Sequence, residues 1–430
     1  MLARRILFIA VISIVFFATL GVIILITPST QPLLAEGFFC SELERESSPN
    51  VPQEDLAALV DGNSGFALDL YQELRDTDSN LFFSPYSISL ALAMTYAGAK
   101  GDTAQQMADA LNFTLPQEQL HPAFNALDLA LAGQSDNENF KFNIANSLWG
   151  QSGFNFNSEF LDVLALNYGA GMRLLNFQEN PEAARITIND WVSEQTNNKI
   201  ENLIPPGDID TLTRLVLTNA IYFKASWEHT FSEDLTEDNT FTLLNGTQVT
   251  VPMMSWSEGE TIRYAEGDGY QAVELPYNGT SMSMLILLPA LDRFEEFENA
   301  LTAERVNGIV ESIGNQDVIL KMPKFRFEAS LGLADTLAEM GMPLAFTDQA
   351  DFSGITQDQS LFISKVLHKA FISVDENGTE AAAATAVIMS LTAFPAPPIT
   401  VSIDHPFIFL IRDTNTGAVL FLGRVLDPTS

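Results

Sequence analysis

The chain holds four histidines, His121, His229, His368 and His405. None pairs with another at metal-ligand spacing, and the single cysteine, Cys40, brings no cluster to them. No G-x-S-x-G turn and no glycine-rich phosphate cradle occurs. Asp and Glu total 55, so a chance pair of carboxylates carries no weight. A catalytic triad need not be sequential, but these absences point to a protein that is not an enzyme and that takes no metal and no cofactor.

Two features remain. The first is Gly378-Thr379-Glu380-Ala381-Ala382-Ala383-Ala384-Thr385-Ala386-Val387-Ile388-Met389, after which no charge appears until Asp404. Alanine is the best helix former, so one reading is a short exposed helix begun at Thr379-Glu380. Against it stand Gly378, the interrupting Thr385, and Val387-Ile388, which prefer strands. The other reading is a segment that is a surface loop in one state and a buried strand in another. Thr379, Ala381, Ala383 and Thr385 would line one face of that strand, each small enough to enter an existing sheet. The second feature is His368, on the inner face of a long strand. It is either a core histidine satisfied by its neighbours or one held by polar partners such as Ser84, Ser87 or Asn219.

The elements that must position these residues divide into halves. Asp55 to Arg75 has apolar residues at helical spacing. Ser84-Pro85 opens a helix, serine as the cap and proline at the first position. Thr103 to Leu111 is another short helix, and Asn180-Pro181 repeats the cap logic. Later the pattern turns to strands: Leu215 to Phe223, Ser281 to Leu288, Val318 to Phe327 and Leu361 to Val374. Phe362, Ser364, Val366, His368, Ala370, Ile372 and Val374 share one face of the last. Pro406 to Leu410 and Val419 to Arg424 form a closing hairpin around Asn415-Thr416-Gly417. Helices first and strands later predict an α+β domain.

Composition bounds the partners. The 430 residues are 47% hydrophobic, enough for a large core, and carry a net charge of −34. So acidic a surface excludes nucleic acid, which demands clustered Lys and Arg. One cysteine excludes an internal disulfide. Arg4 and Arg5 precede an apolar run from Ile6 to Ile26, long enough to span a bilayer with the following chain outside. A cleaved signal peptide has a shorter core, and Leu33 spoils a small-x-small site ending at Ala35. Residues 1–35 therefore read as a membrane anchor, or alternatively a cleaved signal, 36–54 as a polar linker, and 55–430 as one folded domain outside the cytoplasm. Asn112, Asn245, Asn278 and Asn377 open N-x-[ST] sequons.

From about Leu56 to Pro428 the sequence resembles the serpins. The resemblance rests on Asn80-Leu81-Phe82-Phe83-Ser84-Pro85-Tyr86-Ser87-Ile88-Ser89 and Leu217-Thr218-Asn219-Ala220-Ile221-Tyr222-Phe223-Lys224-Ala225-Ser226-Trp227. Val273-Glu274-Leu275-Pro276-Tyr277, Met322-Pro323-Lys324-Phe325 and Asp375 to Thr385 continue it. His405-Pro406-Phe407 and Phe421-Leu422-Gly423-Arg424-Val425 complete it. Each piece alone is modest; their order and spacing are specific.

The resemblance implies a serpin fold, with three β-sheets, eight to nine helices and an exposed reactive loop at about 376–400. It implies a monomer that a target serine protease cleaves, becoming covalently trapped while the loop enters the largest sheet. By similarity Glu376, Gly378, Thr379, Glu380, Ala381, Ala382, Ala383 and Ala384 match the hinge. Ser84, Ser87, Asn219 and His368 match the shutter, and Trp227 the breach. The usual spacing from Gly378 puts the reactive bond at Thr392-Ala393. Counting back from Pro406 lands three residues later at Pro395, so Leu391-Thr392 and Ala393-Phe394 stay open; Phe394-Pro395 is disfavoured by its proline. No Lys or Arg occurs between Glu380 and Arg412. Elastase-, subtilisin- or chymotrypsin-like targets are therefore expected, not trypsin-like ones. His121 to Phe140, in the region that heparin-activated relatives use, lacks Lys and Arg, so no heparin-like cofactor is expected.

Overall fold

The computed structural model describes residues 37–75, 79–134, 140–357, 361–379 and 397–430. The chain divides into two units, Met1–Phe38 and Phe39–Ser430, and the second carries every element named below.

Nine α-helices occur among the described residues. The first, α1 (Gln53–Leu74), buries Leu59, Phe66, Leu70 and Tyr71. α2 (Pro85–Tyr96) is buried along its whole length, and the Ser84 hydroxyl caps it by accepting the Ser87 N–H at 3.2 Å. α3 (Gly101–Ala110), α4 (Gln117–Ala132), α5 (Ser158–Tyr168) and α6 (Pro181–Gln195) follow. Asn180 stands where a cap was expected before α6, but its side chain makes no capping bond; only its backbone carbonyl accepts, from Ala184.

The strands are β1 (Leu81–Phe83), β2 (Phe140–Gln151), β3 (Met172–Leu175), β4 (Leu215–Ser226), β5 (Glu237–Thr242) and β6 (Gln248–Ser255). β7 (Glu260–Gly267), β8 (Tyr270–Pro276), β9 (Met282–Pro289), β10 (Gly314–Pro323) and β11 (Phe325–Gly332) come next. β12 (Lys365–Asp375), β13 (Gly378–Thr379), β14 (Ile399–Ser402), β15 (Phe407–Asp413) and β16 (Val419–Val425) complete the series. The main sheet contains the order β3-β2-β4-β13-β12-β11. A second ladder runs β1-β16-β15-β9-β8-β7-β10-β6-β5, with β14 also on β10. β10 joins two lobes: Gly314–Val318 pair with β7, and Lys321–Pro323 with β6. Among the described residues these are two hydrogen-bonded sheets, the second continuous through β10, in an α+β fold.

One strand expectation divides. Val318 to Phe327 is not continuous: β10 stops at Pro323 and β11 starts at Phe325, in different sheets. Pairing with β6 runs through Pro323 to the Lys324 N–H, which donates to the Pro252 carbonyl at 2.9 Å, and the chain then crosses into the main sheet.

The large core lies between the sheets, with α2 packed against β2, β4 and β16. A separate small core of Trp149, Phe177, Ile188, Val192, Ile204 and Val216 seats α6 on the outer face of the main sheet. The polar stretch before α1 lies along α4 and α5. Arg45 donates to Asn125 Oδ1 and to the Asp128 carboxylate, both at 2.7 Å. Asn125, fully buried, returns its amide N–H to the Glu46 carbonyl at 2.7 Å. No described helix is long and apolar enough to cross a membrane; the Ile6 to Ile26 run lies outside the described residues.

Candidate functional site

The site is a sheet closed at one end and wedged open at the other. Lys365–Ala370 of β12 pair parallel with Val216–Ile221 of β4. Past Ile221 and Ala370 that pairing ends, and β13 stands between the two strands. Gly378 and Thr379 pair antiparallel with Ser226 and Ala225 on one side and with Asp375 and Val374 on the other. The close approach explains the glycine. Its φ is +152°, and a Cβ there would sit 2.1 Å from the Ala225 carbonyl oxygen.

Side chains hold the wedge at its mouth. Trp227 passes its backbone N–H to the Asn377 carbonyl at 2.9 Å and its indole N–H to the Asp375 carbonyl at 3.0 Å. The Trp227 ring stacks on Tyr277 at 4.7 Å, and the Tyr277 hydroxyl meets Thr379 Oγ1 at 2.8 Å. Burial drives the Tyr277 phenol far above its ordinary pKa, so it stays neutral. Glu376 is clamped by Lys324 Nζ and by the Thr236 hydroxyl, each at 2.7 Å. Burial alone raises the Glu376 carboxyl, but these bonds outweigh it and hold it below the usual carboxylate range, hence charged.

Deeper, where β4 and β12 still pair, a polar cluster bridges them to α2. His368 is fully buried. Its Nε2 accepts the Ser84 backbone N–H at 3.1 Å, so the ring proton is on Nδ1, which donates to Asn219 Oδ1. The Asn219 amide donates in turn to Ser87 Oγ and to Asn146 Oδ1. Burial pushes the His368 pKa down to about 3, so the ring is neutral in this arrangement. The structure thus brings Ser84, Ser87, Asn219 and His368 together. Sequence reasoning missed Asn146. It is directly opposite Asn219 in the β2–β4 ladder, and no local signal marks it in a stretch that also holds Lys141, Asn143 and Ser147.

The other histidines lie elsewhere. His121 meets the Tyr168 hydroxyl at 2.6 Å, His229 the Glu260 carboxylate at 3.2 Å, and His405 the Asp404 carboxylate at 2.8 Å. No group of three His, Cys, Asp or Glu fit to hold a metal occurs among the described residues. Glu380 to Ala384 and the candidate bonds at Leu391, Thr392, Ala393 and Phe394 lie outside the described residues.

A family profile described as Serpin (serine protease inhibitor) matches residues 61–428. The chain is 43% identical over 372 residues to an uncharacterized serpin-like protein of Thermococcus kodakarensis, with 86% of each covered. It is 40% identical over 380 residues to leukocyte elastase inhibitor A of Rattus norvegicus, covering 86% of this chain and 99% of that one. Among solved structures, native tengpin, a thermophilic serpin, superposes with a TM-score of 0.79 at 30% identity, covering 90% of this chain and 97% of that one.

Proposed function

The chain belongs to the serpin family, and on that footing we propose that it inhibits a serine protease by loop cleavage, covalent trapping of the acyl-enzyme and insertion of the loop into the main sheet. Reactive-loop insertion is the general serpin form of strand addition. One observation carries its application here: β13 already occupies the first two positions of an added strand, paired on both edges.

The register gives the path. Continued inward from Thr379, it sets Glu380 opposite Lys224 and Ser373, and Thr385 between Asn219 and His368. Thr385 reaches its place only if the Asn219–His368 contact and the β4–β12 pairing part. One parallel ladder is exchanged for two antiparallel ones, each backbone bond contributing about 0.5–1.5 kcal/mol net. Thr379 faces inward and is 1% exposed, so Ala381, Ala383 and Thr385 take the inward positions that suit small side chains. The uncut chain is then a kinetic trap held by the continuity of its loop.

The hinge Glu376 to Ala384 contains no bulky or proline residue, which favours an inhibitor over a serpin-fold binding or storage protein. Thr392-Ala393 is the proposed reactive bond, with Leu391 and Phe394 as alternatives on either side. The absence of Lys and Arg from the loop, and similarity to leukocyte elastase inhibitors, point to elastase-, subtilisin- or chymotrypsin-like targets. The protein acts as a monomer outside the cytoplasm, anchored through residues 1–35 or secreted. Heparin leaves its inhibition rate unchanged, since α4 carries no Lys or Arg; an acceleration would remove that part of the reading.

Incubation with the three protease types followed by a denaturing gel tests the function. A complex that survives denaturation is expected, with a raised Tm for the cleaved inhibitor. Clean loop cleavage with neither complex nor Tm rise overturns the proposal in favour of a binding or storage role.

A further inference from the structure

The four sequons are equivalent as motifs but not as places in the fold. Asn112 is half-buried in a left-handed turn (φ 54°) and donates its amide to the Asp69 carboxylate at 2.8 Å. Asn278 is half-buried beside the stacked Tyr277, and the hydroxyl of its sequon threonine, Thr280, is spent on the Met282 N–H at 3.1 Å. Asn377 lies in the hinge: its carbonyl accepts from Trp227, and its sequon threonine, Thr379, is buried against Tyr277. Asn377 itself is half-buried, with its backbone N–H on Asp375 Oδ1 at 2.9 Å.

Asn245 differs in every respect. It sits at the tip of the hairpin joining β5 to β6, and residues 244–248 are all exposed. The turn is closed by its own backbone, with the Leu243 N–H on the Thr247 carbonyl at 2.8 Å and the Gly246 N–H on the Leu243 carbonyl at 2.9 Å. Gly246 takes φ +79°, and a Cβ built on it meets nothing within 4 Å. Asn245 Oδ1 is used inside the turn, accepting the Thr247 N–H at 2.9 Å, and glycan transfer needs the amide nitrogen instead. Thr242, at the root of the hairpin, donates its N–H to Asp404 at 2.8 Å. Asp404 lies just past the C-terminal end of β14.

We propose that Asn245 is the N-glycosylation site of this protein. Asn245 Nδ2 attacks the anomeric carbon of a lipid-diphosphate-linked oligosaccharide; the carbon–oxygen bond to the diphosphate breaks, the lipid diphosphate leaves with that electron pair, and the amide gives up one proton. The inference rests on the extracytoplasmic reading, because such donors are used on the far side of the membrane.

The full chain is expressed in a yeast or mammalian secretory host and its glycopeptides are mapped by mass spectrometry, alongside N112Q, N245Q, N278Q and N377Q. A parallel arm replaces residues 1–35 by a proven cleavable leader. The expected result is one glycan, lost in N245Q alone, with protease inhibition unchanged in that variant. A glycan seen only with the foreign leader keeps the site and overturns the location. A bare Asn245 in the leader arm, or glycans on the other three with Asn245 bare, overturns the site.

Discussion

His368 has both ring nitrogens occupied in a way only the neutral ring satisfies: Nε2 accepts from Ser84 and Nδ1 donates to Asn219. Burial holds its pKa at about 3, against an ordinary 6.5. A folded pKa below the unfolded one means that the unfolded chain binds the extra proton between these values. Stability is therefore complete above pH 6.5 and is lost as pH falls from there toward 3. The slope per histidine is about 1.4 kcal/mol per pH unit. His121, lowered by burial to about 4, acts in the same direction. The intact protein should show a Tm that falls steeply between pH 6 and 4. In His368→Gln the fall becomes shallower by one histidine's share while His121 keeps its own. A slope unchanged in His368→Gln would show that the shutter ring does not titrate with unfolding.

At the scale of the strand, the proposed insertion turns on Thr379. It faces the interior, 1% exposed, with its hydroxyl on Tyr277. An arginine there would have to bury a guanidinium beside the Trp227–Tyr277 stack, in place of a hydroxyl on a residue that is 1% exposed, and burying a charge without a matched partner costs several kcal/mol. Thr379→Arg should leave the loop cleavable but slow its entry, so the acyl-enzyme hydrolyses first. The stoichiometry of inhibition rises several-fold and the cut product loses its gain in Tm; full trapping by this variant would refute the inward path. The segment before α1 behaves as an element too. Asn125 is fully buried and spends its amide on Arg45 and Glu46. Arg45→Ala should cost about 1–3 kcal/mol, read from the denaturant midpoint, because the buried Asn125 amide oxygen loses its donor and the Asp128 carboxylate its ion pair. An unchanged midpoint would make the segment a passive tether.

Across the whole molecule, what could be read from the sequence was whatever is local. The Ser84-Pro85 cap, the strand runs at Leu215 and Met282, and the closing hairpin follow from residue type and period alone. The break at Pro323 was readable in principle, but the apolar residues continue on both sides and only the sheet assignment separates them. Asn146 was hidden because its role depends on a partner in another strand, as does the clamp of Lys324 on Glu376. The shutter residues were assembled from the serpin resemblance, not from spacing, since Ser84 and His368 are 284 positions apart. Net charge, in contrast, needs no fold to interpret. At −34 the molecule carries a long-range field that raises the encounter rate with a positively charged protease and lowers it with a negative one. The field is screened over about 8 Å at physiological ionic strength, while the acylation and insertion proposed to follow would involve a segment without Lys or Arg. Raising salt from about 0.02 to 0.5 M, a range over which the screening length shortens several-fold, should therefore slow association with a basic elastase-like protease. The same change should speed association with an acidic one. The stoichiometry of inhibition should stay constant in both cases, because partition between trapping and release is decided after encounter. Stopped-flow or progress-curve rates for one basic and one acidic protease decide it; equal salt slopes for the two would mean that the acidity serves solubility and plays no part in choosing the target.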